Sequence, residues 1–173
     1  IDRLGAEIDK RWGRLDIFLG NAGMLGGLSP LGHHEPKNFE RVMAVNVTAN
    51  WRFIRSLDPL LRASQAGRAL FVSSGAARVF RPFWGPYAAS KAALEALASV
   101  YAAECASTAI GVAIVDPGVA RTAMRALAMP GEDPLELPHP AVVAQSIASL
   151  VGADGSLKNG GIWSVPRGQW LQR

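Results

Sequence analysis

Tyr87 and Lys91 stand four residues apart in Tyr87-Ala88-Ala89-Ser90-Lys91, and Ser74 lies thirteen residues before the tyrosine. A phenol, an ammonium group and a hydroxyl could thus surround one carbonyl. The alanine-rich stretch after Pro86 reads as a helix, and residues i and i+4 of a helix share a face. Lys91 should then stand one turn from Tyr87 and bias its protonation. A free tyrosine titrates near pH ~10, and a neighbouring positive charge lowers that value. A phenol tuned downward could exchange a proton with an alcohol or ketone near neutral pH. The pentapeptide alone is weak evidence, because tyrosine and lysine also meet at this spacing as an ordinary surface pair.

Four further segments fall in order around this pair. Asn21-Ala22-Gly23 follows the apolar run Ile17-Phe18-Leu19, and Asn46 sits between Val45 and Val47 in a helical pattern. Ser73-Ser74-Gly75 follows Ala69-Leu70-Phe71-Val72, and Pro117-Gly118-Val119-Ala120-Arg121-Thr122 follows Val112-Ala113-Ile114-Val115-Asp116. The elements that must position them are short β-rich runs alternating with longer helical patterns, which predicts a parallel sheet covered by helices. Strands are expected over about 17–19, 69–72, 112–115 and 162–165. Long helices are expected over about 38–61, 86–106 and 141–151, with a Pro- and Gly-rich loop over 129–140.

In order and spacing, these motifs resemble the short-chain dehydrogenase/reductase superfamily, in its compact single-domain branch, from about Leu15 to about Thr122. A weaker echo lies in Gly161-Ile162-Trp163-Ser164-Val165, and Thr122-Ala123-Met124-Arg125-Ala126 with Glu132-Asp133-Pro134 is similar to a subgroup of bacterial oxidoreductases. The resemblance implies one domain over residues 1–173. Its fold would be α/β, a partial Rossmann-like doubly wound parallel sheet of about four strands, lacking the first two βα units. Family members open with a strand, a glycine-rich turn and a helix that cradle the adenosine and pyrophosphate of the cofactor. Here Ile1, Leu4, Ile8, Trp12 and Leu15 recur at spacings of three and four, as if the sequence starts inside a helix. The hydrogen-bonding edge of the first strand would then be open. A second copy, the displaced terminus or a partner fragment is expected to cover it. Gly20 also stands where the family often carries a second asparagine.

The resemblance further implies site roles. Tyr87 is the expected general acid/base, and Lys91 would lower its pKa and bond the nicotinamide ribose. Ser74 would bond the substrate oxygen, with Ser73 as the structural hydroxyl, since neighbours on a strand point to opposite faces. Asn46 would kink its helix and hold a water that relays protons to Lys91. Asn21, Ala22 and Gly23 would meet the cofactor at a strand end, and Pro117, Gly118, Ala120 and Thr122 would shape the nicotinamide pocket. The cofactor would be NAD or NADP, and the substrate a secondary alcohol or its ketone. Phe80, Pro82, Phe83 and Trp84, with Met24, Leu25, Met124 and Leu127, are expected to line an apolar mouth. The competing reading is a catalytically silent fragment that acts through subunit contacts. The helices centred on Val47 and Leu97 would make a homodimer or homotetramer in either case.

Composition limits the alternatives. An apolar fraction of 49% over 173 residues suffices for one core. No apolar run approaches the ~20 residues that span a bilayer, so no membrane role is expected. The net charge of +4 comes from scattered arginines rather than a basic run, so no nucleic-acid partner is expected. The single cysteine, Cys105, excludes an intrachain disulfide and fits a reducing cytoplasm. No metal is expected, because His33-His34 lacks a clear third ligand and reads as a surface loop.

Overall fold

A computed structural model describes residues 1–152 and 157–172 of the chain. Four parallel strands, β1 (Ile17–Gly20), β2 (Arg68–Val72), β3 (Gly111–Asp116) and β4 (Ile162–Ser164), lie side by side in sequence order. The fold is therefore α/β with a mostly parallel, Rossmann-like sheet, as expected. The structure adds a fifth strand, β5 (Gln169–Trp170), antiparallel to β4. Two residues carry no readable periodicity. What fixes them is the turn at Gly168, with φ 58°, and the edge-on packing of Trp163 on Trp170 at 5.3 Å.

Helices fill the connections. α1 (Asp2–Trp12) precedes β1 and ends at Gly13, whose left-handed φ of 66° lets its N–H bond Asp9 O. α2 (Pro36–Met43) and α3 (Ala49–Arg62) connect β1 to β2, and α4 (Gly85–Glu104) connects β2 to β3. The short α5 (Ala123–Ala128) and α6 (Pro140–Val151) precede β4. The single long helix expected over 38–61 is interrupted by a π-helical turn at Ala44–Thr48. Such a turn frees backbone groups from the regular ladder. Asn50 Nδ2 takes up one of them, the carbonyl of Asn46, at 2.9 Å.

The period of two along the strands splits the core into two sheets of side chains. Ala69, Phe71, Val112 and Ile114 pack with Leu57, Leu61, Leu94, Ala98 and Tyr101 of α3 and α4, and Phe18 joins this face through Phe53 and Phe71. Leu70, Val72 and Val115 point the other way, towards Ile147 and Leu150 of α6. Cys105 is buried in the first cluster, as expected of a small hydrophobe.

β1 pairs only with β2 among the described residues. The terminus at Ile1 leads into α1, which packs on α3, so it does not cover the free edge of β1. Ile17 and Leu19 stay 45% and 42% exposed; they and several α6 residues line one cavity. No helix among the described residues is long and apolar enough to cross a membrane.

Candidate active site

The C-terminal ends of β1, β2 and β3 open on one cavity of about 860 Å³. This is the end of an open α/β sheet where ligands bind, outside the carboxyl ends of the strands. Asn21, Ala22 and Gly23 follow β1 at its rim, Ser74 follows β2, and Pro117, Gly118, Ala120 and Thr122 follow β3. Tyr87 and Lys91 reach it from the first turns of α4. Of the residues expected at the site, Asn46 is the one that lies just behind the cavity wall rather than on it.

Tyr87 is 8% exposed and packs edge-on against Trp84, with ring centroids 5.9 Å apart. Burial pushes its phenol above the usual value, while a side-chain hydrogen bond with Ser74 acts in the opposite direction. The charge of Asp116 adds to the rise. This corrects the expectation that Lys91 tunes Tyr87 downward. The Lys91 ammonium lies 5.8 Å from the Tyr87 ring centroid and donates to Val72 O at 2.8 Å, so it addresses the end of β2. Burial lowers the pKa of Lys91 to about 8, partly offset by the negative charge of Glu95. Lys91 therefore stays mostly cationic at neutral pH, but within reach of discharge.

The two serines divide as strand alternation requires. Ser74 turns towards Tyr87 and also accepts from Ala76 N at 3.2 Å, capping a short 3-10 turn. Ser73 Oγ points away and donates to Glu95 at 2.6 Å. Arg78 then pairs with both Glu95 and Asp116, and Asp116 accepts from Gly118 N at 3.1 Å. One guanidinium thus ties α4, the end of β3 and the Pro117-Gly118 turn together around the serine pair.

Asn46 is fully buried in the π-helical turn. Its side chain accepts from Met24 N at 2.8 Å and donates to Met24 O at 3.0 Å and to Ser90 Oγ at 2.8 Å. The helix distortion expected at this asparagine is present, and the amide spans from the helix to the loop after β1. Ser90 Oγ in turn donates to Tyr87 O at 2.8 Å, which links Asn46 to the tyrosine's own backbone.

Two glycines are set by what lies beside them. A Cβ on Gly23 would stand 3.3 Å from Lys91 Nζ, and one on Gly118 would stand 2.2 Å from Pro166 Cγ with φ already at +67°. Gly20 has a similar cause: a Cβ there would come within 2.4 Å of Asn50 Oδ1. The helix asparagine that satisfies the π-helical turn occupies the space that a side chain at position 20 would need.

The apolar mouth is smaller than expected. Leu25, Trp84 and Met124 line the cavity, while Phe80, Phe83 and Leu127 stand outside it, 77%, 55% and 76% exposed. Pro82 is exposed as well, and Met24 contributes its backbone to Asn46. Phe83 holds a left-handed backbone with φ 74°, an arrangement rare for a residue with a bulky side chain. Four residues that sequence reasoning missed complete the scaffold: Arg78, Asn50, Ser90 and Glu95. Two of them carried a signal, since Ser90 lies inside the Tyr–Lys pentapeptide and Glu95 one turn beyond Lys91 on the same face.

This combination of a parallel α/β sheet and a buried tyrosine, lysine and serine at its carboxyl end defines a class of dinucleotide-type folds. Residues 1–133 match the family model described as short chain dehydrogenase, and the chain belongs to that family. It is 41% identical over 158 residues to the Escherichia coli protein named as the uncharacterized oxidoreductase YciK, covering 91% of this chain and 62% of that protein. An uncharacterized NAD-dependent oxidoreductase of Mycobacterium tuberculosis is 39% identical over 116 residues, covering 66% of this chain and 42% of that one. The crystal structure of a Shigella flexneri short chain dehydrogenase, solved with NADP, superposes with a TM-score of 0.91 at 39% identity. That match covers 95% of this chain and 69% of the Shigella chain. The chain thus spans less than two thirds of the length of these curated relatives.

Proposed function

We propose that this protein is an NAD- or NADP-dependent oxidoreductase that interconverts a secondary alcohol and a ketone. The observation that carries the reading is the convergence of the Tyr87 phenol, the Ser74 hydroxyl and the Lys91 ammonium on one cavity at the strand ends. A carbonyl oxygen bonded by Ser74 would share that bond with Tyr87, which gives up its proton as the carbonyl becomes an alcohol. Ser74 steadies the negative charge that develops on the oxygen. A bound reduced nicotinamide would supply the hydride. The raised phenol pKa suits a donor that must hold its proton at neutral pH until charge develops on the substrate.

The fit to a nicotinamide rests on the rim. Gly23 leaves the backbone open beside Lys91 Nζ, where a ribose hydroxyl could bond, and the Pro117–Thr122 segment offers backbone groups around Ala120. In the named relatives and structures both NAD and NADP occur, and we leave this protein's cofactor as either. Asn46 acts by fixing the loop after β1 and the start of α4, and a water beside it would connect Lys91 to solvent.

A second reading, assembly without catalysis, draws support from the bare residues Ile17 and Leu19 and from Trp51 and Val100, which stay 48% and 57% exposed on α3 and α4. Both readings accommodate a homodimer or homotetramer and a cytoplasmic setting. Titration with NADH and NADPH, followed by an aromatic ketone, separates them. The oxidoreductase reading expects saturable binding of one nucleotide and its ketone-dependent oxidation. Absence of binding by either nucleotide, in a protein that sediments as a stable oligomer, contradicts it.

A further inference from the structure

We propose that this site selects uncharged, apolar carbonyl compounds, and that Glu132 enforces the selection by occupying the one arginine that lines the cavity among the described residues. The inference rests on the oxidoreductase reading of the same site and names its substrate class. Three ionisable side chains line the cavity among the described residues: Tyr87, Lys91 and Arg125. Lys91 gives one proton to the carbonyl of Val72 and, in the oxidoreductase reading, turns another to the nucleotide ribose. Arg125 is therefore the cation that a substrate carboxylate would have to use.

Arg125 is already engaged. Its Nε donates to Glu132 Oε2 at 2.6 Å, and a second guanidinium nitrogen pairs with the other carboxylate oxygen. This is the bidentate geometry in which arginine holds carboxylates best. The hydrogen bond from Arg125 lowers the pKa of Glu132 below its usual range, so this carboxylate stays ionised through the neutral region. The charge of Arg81 acts on Glu132 in the same direction.

The pair is anchored in the chain as well as in charge. Thr122 caps α5 by accepting from Arg125 N at 3.2 Å, and Glu132 follows a turn in which its N–H bonds Met129 O. Much of the wall beside Tyr87 is apolar: Leu25, Trp84, Met124 and Ala128 pack as one cluster with the tyrosine. A ligand carboxylate would lose its water here, find the Arg125 guanidinium already paired, and meet the negative charge of Glu132. Displacing Glu132 from Arg125 would leave that acid unpaired beside the incoming anion.

Isothermal titration of acetophenone and of para-acetylbenzoate, each in the presence of the oxidised nucleotide that the protein binds, tests this. The protein should bind acetophenone at least roughly ten-fold more tightly than the carboxylate analogue. Glu132→Gln should shrink that ratio by roughly ten-fold or more, by strengthening para-acetylbenzoate, and a further Arg125→Gln should remove the gain. Equal or tighter binding of para-acetylbenzoate by the unaltered protein overturns the proposal, as does a ratio unmoved by Glu132→Gln. If Glu132→Gln does not fold, Arg125→Gln alone decides. A loss of para-acetylbenzoate affinity in that variant makes Arg125 the carboxylate receptor and overturns the proposal. Nucleotide binding with neither probe bound overturns the substrate class alone, whereas absence of nucleotide binding removes the oxidoreductase reading beneath it.

Discussion

The two faces of the sheet are built unequally. One carries α3 and α4, and Phe71, Val112, Ile114, Leu61 and Leu94 on it are closed to solvent. The other carries α6, whose Ile147 and Leu150 cover Leu70 and Val115, and it leaves Ile17 and Leu19 of β1 uncovered. The residues proposed for proton handling belong to the closed side: Tyr87 and Lys91 on α4, and Asn46 between α2 and α3. Their positions are fixed by dense packing and by bonds among protein groups. On the open side, Ile17 and Leu19 line the cavity instead.

That contrast can be broken by paired substitutions. Phe71→Ala should cost about 3–5 kcal/mol of stability, because it removes a fully enclosed ring from a packed site. Leu19→Ser should cost less than ~0.5 kcal/mol, the usual range for a surface change. Urea denaturation of both variants measures the difference, and comparable losses would mean that the open face is covered in solution. Asn46→Ala should fall between them, at about 2–3 kcal/mol, since it strands the Met24 N–H and C=O and removes a partner of Ser90. Amide exchange at Met24 should quicken in that variant while β2 stays protected. An unmoved urea midpoint would show that the amide bridge does not hold the loop.

A further effect concerns pH. Lys91 has a folded-state pKa of about 8 against 10.5 when free. Between those values the unfolded chain binds a proton that the folded chain has released, so the contribution of Lys91 to stability should rise with pH across that window, opposed above about pH 9 by the Cys105 thiol, whose pKa burial raises. Below about pH 8 both states are protonated and the contribution is constant. Tyr87, raised by burial, opposes this only above about pH 10, where the unfolded phenol ionises first. Lys91→Met should flatten the rise between pH 8 and 10 in chemical denaturation. A slope that survives the substitution would assign the titration to another group.

The strands and helices of both faces were largely legible in the sequence, α6 included, and the contacts between distant segments were not. β2 and β3 announce themselves as continuous apolar runs because both their faces are buried, and α4 follows from Pro86 and its alanines. The opposition of Ser73 and Ser74 follows from strand alternation alone. Spacing cannot reveal partners brought from far along the chain. Arg78 meets Asp116 across 38 residues, and Asn46 meets Met24 across 22. The direction of the Tyr87 shift escaped for a similar reason. Helical spacing gives the distance to Lys91, but burial decides the pKa, and burial depends on Trp84, Leu25 and Ala128 together. The aromatic mouth was overestimated because Phe80 and Phe83 lie close in sequence to Trp84, while their loop turns outward.

The central claim is that the buried Tyr87 hydroxyl, on the same cavity as Ser74, is the proton donor to a carbonyl there. Tyr87→Phe removes one oxygen and keeps the ring that packs against Trp84. Single-turnover ketone reduction with saturating reduced nucleotide measures the consequence directly. The account predicts a rate lower by roughly 10²–10⁴-fold, with nucleotide affinity unchanged. A rate within about ten-fold of the unaltered protein would contradict it.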